Sequence, residues 1–392
     1  MKILSINTGS SSIKCALFEM PQEQVLMKVS IDRIGRNDSV VCIESGQLRQ
    51  NFNLAVSDYH RGVELFLKAL TAKKMCVLTD TDQIEAIGHR VVHGGMKFSK
   101  AEVINDEVMT AIREYAELVP LHGFANIDAI ESCRRLLPNR PNVAVFDTAL
   151  YHDLPARAYL YGLPIEMYQK HGIRRYGFHG INHGYVAKEA ARLIDKPLEE
   201  LRLVTCHLGN GSSITAFKNG NAVDTSMGFT PIEGVLMGTR PGDLDAGVPI
   251  YILKHLGLSV NQLEELLNKE SGLKGLCGKS DMRDVISLAD KGNEQAINAL
   301  DSFVYRIQKY IGSYAASLDG LDAIVFTAGI GENSPILRQK ILAPFAYLSV
   351  RINEEKNQTN APIFSREDSS VYAMTIPANE ELAIAREAFG LV

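Results

Sequence analysis

Short continuous apolar runs and helically spaced apolar positions alternate along the whole of this chain. Residues 3–6, 143–146, 203–206 and 323–326 are apolar runs of the kind that form buried strands. Apolar positions recur with a helical period over 62–73, 108–117, 126–137, 184–193 and 295–318, which predicts helices there. The alternation predicts an α/β fold. The chain contains no low-complexity tract and no Pro/Ser-rich linker, so domain boundaries must be read from pattern.

One pattern occurs twice. Leu4-Ser5-Ile6-Asn7-Thr8-Gly9-Ser10-Ser11-Ser12-Ile13-Lys14 runs on to Phe18, and Leu203-Val204-Thr205-Cys206-His207-Leu208-Gly209-Asn210-Gly211-Ser212-Ser213-Ile214 runs on to Phe217. Each reads as an apolar strand, a Gly/Ser/Asn turn and a second apolar strand, a β-hairpin given twice. Gly/Asn/Ser turns are common, so two unrelated hairpins would also explain it. A duplicated domain with both hairpin loops facing one cleft is the sharper expectation.

The turns have chemistry of their own. A tight Gly/Ser turn exposes successive backbone N–H groups that can cradle an anion, and glycine permits close approach of a ligand. Residues 8–12, 209–213 and 329–333 are such candidates, each directly after an apolar strand, and Lys14 adds a cation beyond the first. Ser334-Pro335 then opens a helix with proline in its first turn. Neither a GxxxxGK[ST] nucleotide loop nor a GxGxxG dinucleotide fingerprint is present.

Composition narrows the function classes. The chain has 392 residues, enough for two or three domains, and is 46% hydrophobic and 22% charged, in the range of ordinary globular proteins. A net charge of −5 gives no electrostatic reason to expect nucleic acid or an anionic membrane as partner. No apolar run approaches a membrane span, and the first residues read as a strand rather than a signal peptide. The six cysteines, Cys15, Cys42, Cys76, Cys133, Cys206 and Cys277, are scattered without a CxxC, which suits reduced thiols in a cytoplasmic enzyme.

Several charged residues stand in apolar company. Arg90 is expected directly after an apolar strand and before Gly94-Gly95, and Arg240 emerges beside the charge-poor run 227–238. A lone arginine is most often a surface ion-pair partner, yet the guanidinium fork also suits carboxylate and phosphate oxygens. Asp147 ends a strand, where α/β sites collect polar groups, although an Asp there can equally cap a turn. His179 sits between glycines after an aromatic pair, and a lone histidine is usually structural. Asn379 followed by Glu380 and Glu381 reads as an N-cap with first-turn acids.

Taken together these residues resemble the acetate and propionate kinase family. The matching stretches are NTGSSSIK (7–14), GHRVVHGG (88–95), FDTA (146–149), YGFHG (176–180), HLGNGSS (207–213), DTSMGFTP (224–231), EGVLMGTR (233–240), GIGEN (329–333) and NEEL (379–382). They cover essentially the whole chain in the family's order. The resemblance implies the fold shared by actin, Hsp70 and sugar kinases, two duplicated βββαβαβα domains around a nucleotide cleft. It places an N-terminal domain at 1–150 plus about 379–392 and a nucleotide-binding C-terminal domain at 151–378. It also implies a homodimer that needs Mg²⁺, or Mn²⁺ in its place, with ATP/ADP and a short-chain carboxylate as substrates.

Residue by residue, the resemblance implies that Asn7 and Glu380 organise the metal, giving that helix-start acid a second role. Ser10, Ser12 and Lys14 would face phosphates. Arg90 and Arg240 would hold the carboxylate and the migrating phosphoryl, Asp147 would orient groups at the reacting centre, and His179 would donate a hydrogen bond to the transferring group. His207, Leu208, Gly209, Asn210 and Gly211, with Asp281, Met282, Arg283 and Gly329, Ile330, Gly331, Glu332 and Asn333, would hold ADP. The acyl chain would lie against Val92, Leu121, Phe178 and Pro231.

The chain departs from the family pattern at flanking positions. FDTAFH reads FDTALYH, HGTSH reads His179-Gly180-Ile181-Asn182-His183, PLHNPAN reads PLHGFAN, TRSGD has Pro241, and DPG reads Asp245-Ala246-Gly247. The charged positions are kept, so the departures bear on substrate size and rate more than on the reaction. Val92 resembles acetate-preferring members. A propionate kinase is the nearest rival reading, followed by an ATPase of the same fold that ignores carboxylates and by a pyrophosphate-using variant.

Overall fold

The structure is a computed structural model; it describes residues 1–392 except 73, 74 and 76, and the side chains of 120 and 121 lie outside the described residues. The chain forms two compact units, Met1–His152 with Asn379–Val392, and Asp153–Ala378.

The first unit is built on an eight-stranded sheet ordered β5-β4-β3-β2-β1-β6-β8-β7. Its strands are β1 (Lys2–Thr8), β2 (Ser12–Glu19), β3 (Gln24–Asp32), β4 (Ser39–Ser45), β5 (Leu48–Leu54), β6 (Ala86–Val91), β7 (Glu102–Val103) and β8 (Asn142–Phe146). From β1 to β5 the neighbours pair antiparallel as hairpins, whereas β1, β6 and β8 run parallel. All five residues of β8 are buried, as expected for a parallel strand covered on both faces. Helices Tyr59–Leu70, Asp106–Ala116, Pro120–Leu136 and Glu380–Phe389 complete the unit. The last of these crosses β6 at Gly88, where an added Cβ would come 2.6 Å from Ile384 Cγ2 and 3.1 Å from the Ile384 carbonyl. That close approach carries Glu380 to the C-terminal end of β1.

The second unit has a five-stranded sheet ordered β11-β10-β9-β12-β13, with β9 (Leu203–Leu208), β10 (Ser212–Lys218), β11 (Asn221–Thr225), β12 (Ala323–Thr327) and β13 (Tyr372–Thr375). Here three antiparallel strands lead into three parallel ones, where the first unit has five and three. The order matches β3-β2-β1-β6-β8 strand for strand, so the repeated hairpin is the first step of a repeated unit. Gly9 N donates to Ser12 O in one turn and Gly209 N to Gly211 O in the other, at 2.9 and 3.1 Å. The long helix Glu294–Ser317, capped by Asn293, buries Phe303, Ile307 and Ile311 against Val204, Ile214 and Phe326 of the sheet.

Some sequence expectations need correction. Arg90 lies inside β6 rather than after it. The helix expected over 126–137 begins six residues earlier, with Pro120 in its first turn. The end expected at Lys73 lies outside the described residues, and that helix stops at Leu70. Residues 329–333 are not an open loop but part of the helix Ala328–Asn333. Glycine disfavours helix, and tertiary contacts override it. The fully buried Arg338 donates to the carbonyls of Gly331 and Glu332 at 2.7 and 2.8 Å, placing a cation at the helix C-terminus. Among the described residues Cys15, Cys42, Cys133, Cys206 and Cys277 are free thiols, while Cys76 lies outside them.

Candidate active site

In the first unit, β1, β6, β8 and the C-terminal helix bring Asn7, Arg90, Asp147 and Glu380 together. Asp147 is fully buried, and its Oδ2 accepts from Arg90 Nε at 3.0 Å and Nη2 at 2.6 Å. Arg90 Nη1 donates to Asn7 Oδ1 at 3.2 Å, and Asn7 Nδ2 donates to Glu380 Oε2 at 2.6 Å. Glu381, a first-turn acid by its sequence context alone, also accepts from Asn7 Nδ2, at 3.5 Å. Burial works against the Arg90 charge, but the Asp147 and Glu380 carboxylates more than offset it and raise its pKa above the ordinary arginine range. Arg90 therefore stays charged with two of its five N–H donors uncommitted to these partners.

Val92 follows β6 and is buried; its N–H donates to Asn126 Oδ1 at 3.0 Å, while Asn126 Nδ2 donates to Thr8 Oγ1 at 2.6 Å. Asn126 thus ties the end of β6 to the first hairpin, a role its sequence context did not reveal. In that hairpin Ser10 and Lys14 are exposed and Ser12 half-buried. The Leu121 side chain lies outside the described residues.

In the second unit His179 has φ +56°, the left-handed region that costs a side-chain-bearing residue about 1–2 kcal/mol. The turn starts the helix Gly180–Ile194, with His183 N donating back to the His179 carbonyl at 2.9 Å. His179 Nδ1 lies 2.8 Å from Ser213 Oγ, and Ser213 Oγ lies 2.7 Å from His183 Nε2. The His179 ring stacks on His207, with centroids 4.0 Å apart and planes at 7°. Burial, and then His207, push His183 well below the ordinary histidine range, so it is neutral.

Arg240 meets His179 across Gly211. A Cβ built on Gly211 would lie 3.5 Å from His179 Nε2 and 3.7 Å from Arg240 Nη1, so both side chains reach the same glycine. Arg240 Nη1 donates to the Pro231 carbonyl at 3.2 Å, and among the described residues no carboxylate pairs with it. Burial lowers its pKa from the usual arginine value. The segment leading to Arg240 is pinned by Arg175, which donates to the carbonyls of Thr225, Ser226 and Met227 and to Glu233. The sequence offers no signal for Arg175, and it places Ser213 in the candidate anion-binding turn 209–213 without its link to His179 and His183. Phe178 is buried.

A cavity of about 700 Å³ opens beside this group, a suitable size for a mononucleotide. It brings together Gly209 and Asn210 of the second hairpin, Asp281, Met282 and Arg283, and Gly329, Ile330 and Asn333. Ser280, Ile286 and Ser334 line it as well, none of them anticipated. Of the nucleotide candidates, Ser10, Ser12, Lys14, His207, Leu208, Gly211, Gly331 and Glu332 do not line this cavity; Glu332 Oε1 instead accepts from Ala378 N at 2.8 Å. Asp281 caps the helix Met282–Asp290 and pairs with Arg283 at 2.6 Å; hydrogen bonds from Arg283 hold its carboxyl down at about 2.

The sequence model of the acetokinase family matches residues 2–386. This chain belongs to the acetokinase family. An acetate kinase of Carboxydothermus hydrogenoformans is 47% identical over 395 aligned positions, covering 100% of this chain and 99% of that protein. Crystal structures agree. An acetate kinase of Porphyromonas gingivalis superposes with TM-score 0.92 at 37% identity, covering 100% of this chain and 99% of that one. A propionate kinase of Francisella tularensis superposes with TM-score 0.93 at 39% identity, covering both chains fully. These full-length likenesses carry the actin- and sugar-kinase-like family fold over to this chain. Among the described residues no helix is long and apolar enough to cross a membrane.

Proposed function

We propose that this chain is an acetate kinase that reversibly moves the γ-phosphoryl of ATP onto an acetate oxygen by direct in-line transfer, giving acetyl phosphate and ADP. The observation that carries the reading is the half-buried Arg240 guanidinium, set with His179 against Gly211 and supplied with no carboxylate among the described residues. Such a cation is built to receive an anion from outside the chain. Phosphoryl transfer spreads charge over equatorial oxygens and asks the protein chiefly for positioning and charge stabilisation.

The geometry within each unit supports a role for each residue. Arg90 presents its remaining N–H donors to the carboxylate. Asp147 already accepts two bonds from Arg90, so it orients that fork and is not a base; the acceptor, already an anion, needs none. Arg240 and His179 face the migrating phosphoryl. The cavity lined by Asn210, Arg283 and Asn333 takes the nucleotide, and Ser10, Ser12 and Lys14 contribute toward its phosphates. Val92, Phe178 and Pro231 limit the acyl chain.

Asn7 and Glu380, with Glu381, offer amide and carboxylate oxygens of the hard kind Mg²⁺ prefers. They are too few for an all-protein cage and suited to a site completed by phosphates and water. Among the described residues no cluster of three or more His, Cys, Asp or Glu forms such a cage elsewhere. Bound there, Mg²⁺ would neutralise phosphate charge. A cytoplasmic homodimer with 151–378 as the nucleotide-binding domain completes the proposal.

Trapping acyl phosphate with hydroxylamine tests it, using acetate, propionate and butyrate against ATP and pyrophosphate. The expected result is hydroxamate formation with Mg²⁺ and ATP and the highest kcat/KM for acetate. ATP turnover indifferent to carboxylate would overturn it, and a preference for propionate would move the chain to the rival substrate.

A further inference from the structure

The proposed reaction leaves Asn182 without a task, although it is fully buried among the site histidines. Its Nδ2 lies 2.8 Å from His207 Nδ1 and 3.3 Å from Thr327 Oγ1, while its Oδ1 has no hydrogen-bond partner. Turning the amide over would give Oδ1 those two neighbours and strand both N–H groups. Two buried donors without partners cost more than one such acceptor, so the N–H side belongs toward His207.

This orientation has consequences for the rings. If Asn182 donates, His207 Nδ1 accepts, and neutral His207 carries its proton on Nε2. Protonating Nδ1 would set N–H against N–H, so Asn182 opposes a charge on His207. His179 lies 4.0 Å away in a near-parallel stack, where two imidazolium rings would repel. His179 has its own support at Nδ1, through Ser213 to His183, whose Nδ1 is 2.6 Å from Thr205 Oγ1. Among the described residues, His183 on the helix and Arg240 across Gly211 also stand near the pair.

We infer that Asn182 is a positioning residue: it holds His207 neutral with the proton on Nε2, and so reserves positive charge in the stacked pair for His179, the ring that approaches Gly211 beside Arg240. The inference rests on the role proposed for His179 at the migrating phosphoryl.

The test is ¹⁵N-histidine NMR of the full chain, with ring signals assigned through His207→Gln, together with kcat and KM against pH for Asn182→Asp and Asn182→Leu. Wild-type His207 is expected to show a bare Nδ1 at neutral pH. Asn182→Asp turns the donor into an acceptor and should place a proton on His207 Nδ1. It should also shift the acid limb of the kcat profile and lower kcat on the order of tenfold, the worth of one buried hydrogen bond. KM for acetate should move by less than about twofold. Asn182→Leu, similar in size and without a donor, should free His207 to take either proton position. A wild-type His207 protonated at Nδ1, or an Asn182→Asp enzyme with unchanged kcat profile, would overturn the inference. Failure of the wild type to form acyl phosphate would instead defeat the proposed activity, so the two failures are distinguishable.

Discussion

Asp147 and Arg90 form a buried pair in which one carboxylate oxygen accepts two guanidinium N–H groups, at 2.6 and 3.0 Å. The fork is thereby fixed in direction before any substrate arrives, and its orientation costs nothing during the reaction. Removing either partner takes the opposite charge away from the other. Arg90→Ala should therefore act twice: carboxylate binding and turnover both fall, and the first unit loses about 3–5 kcal/mol because the buried Asp147 loses its opposite charge. Urea unfolding alongside steady-state kinetics checks it. Near-normal KM for acetate with an unchanged midpoint would dissociate the pair from the site.

Arg240 should behave differently, because its guanidinium lacks a carboxylate among the described residues and its charge is disfavoured by burial. Arg240→Ala is expected to lower kcat by about 3–4 kcal/mol of lost charge stabilisation while leaving thermal stability unchanged or raised. A fall in melting temperature comparable with that of Arg90→Ala would show that the residue is structural instead.

The contrast marks what a sequence can and cannot show. The hairpins were legible because turn chemistry is local: Gly9 and Gly209 close their turns with bonds to residues two or three positions on. Arg90, Asp147 and Arg240 were legible as charges beside apolar runs. The His179–Ser213–His183 chain was not, since its bonds join a helix to strands about thirty residues away. Nor was the helicity of 328–333, which depends on Arg338 arriving from the next helix. Local propensity carried the elements, and tertiary hydrogen bonds carried the site.

Acid should destabilise the first unit in a definite window. His89 and His93 are buried, and burial lowers both from about 6.5 to about 4. His89 Nε2 meets Asn142 Oδ1 at 2.8 Å, and its Nδ1 has no partner. Below pH 6.5 the unfolded chain binds protons that the folded chain refuses until near pH 4, so stability falls as pH falls through that interval. The loss is up to about 3 kcal/mol per histidine. Urea midpoints at pH 7, 5.5 and 4.5 should decline, and His89→Gln should flatten the decline. Equal midpoints at all three would contradict the buried neutral state.

Gly88 joins packing to catalysis. A methyl group there would press on Ile384 Cγ2 at 2.6 Å and on the Ile384 backbone oxygen at 3.1 Å. The flexible contact could yield, but the backbone contact means the helix Glu380–Phe389 must move off β6. Gly88→Ala should destabilise the chain by about 1–3 kcal/mol. Because the same helix begins with Glu380 and Glu381, both within reach of Asn7, its displacement should disturb the proposed metal ligands before anything else. The expected signature is a higher Mg²⁺ concentration for half-maximal activity, with KM for acetate little changed. If the Mg²⁺ dependence stayed at the wild-type value in a measurably destabilised variant, the placement of the metal at Asn7 and Glu380 would have to be abandoned.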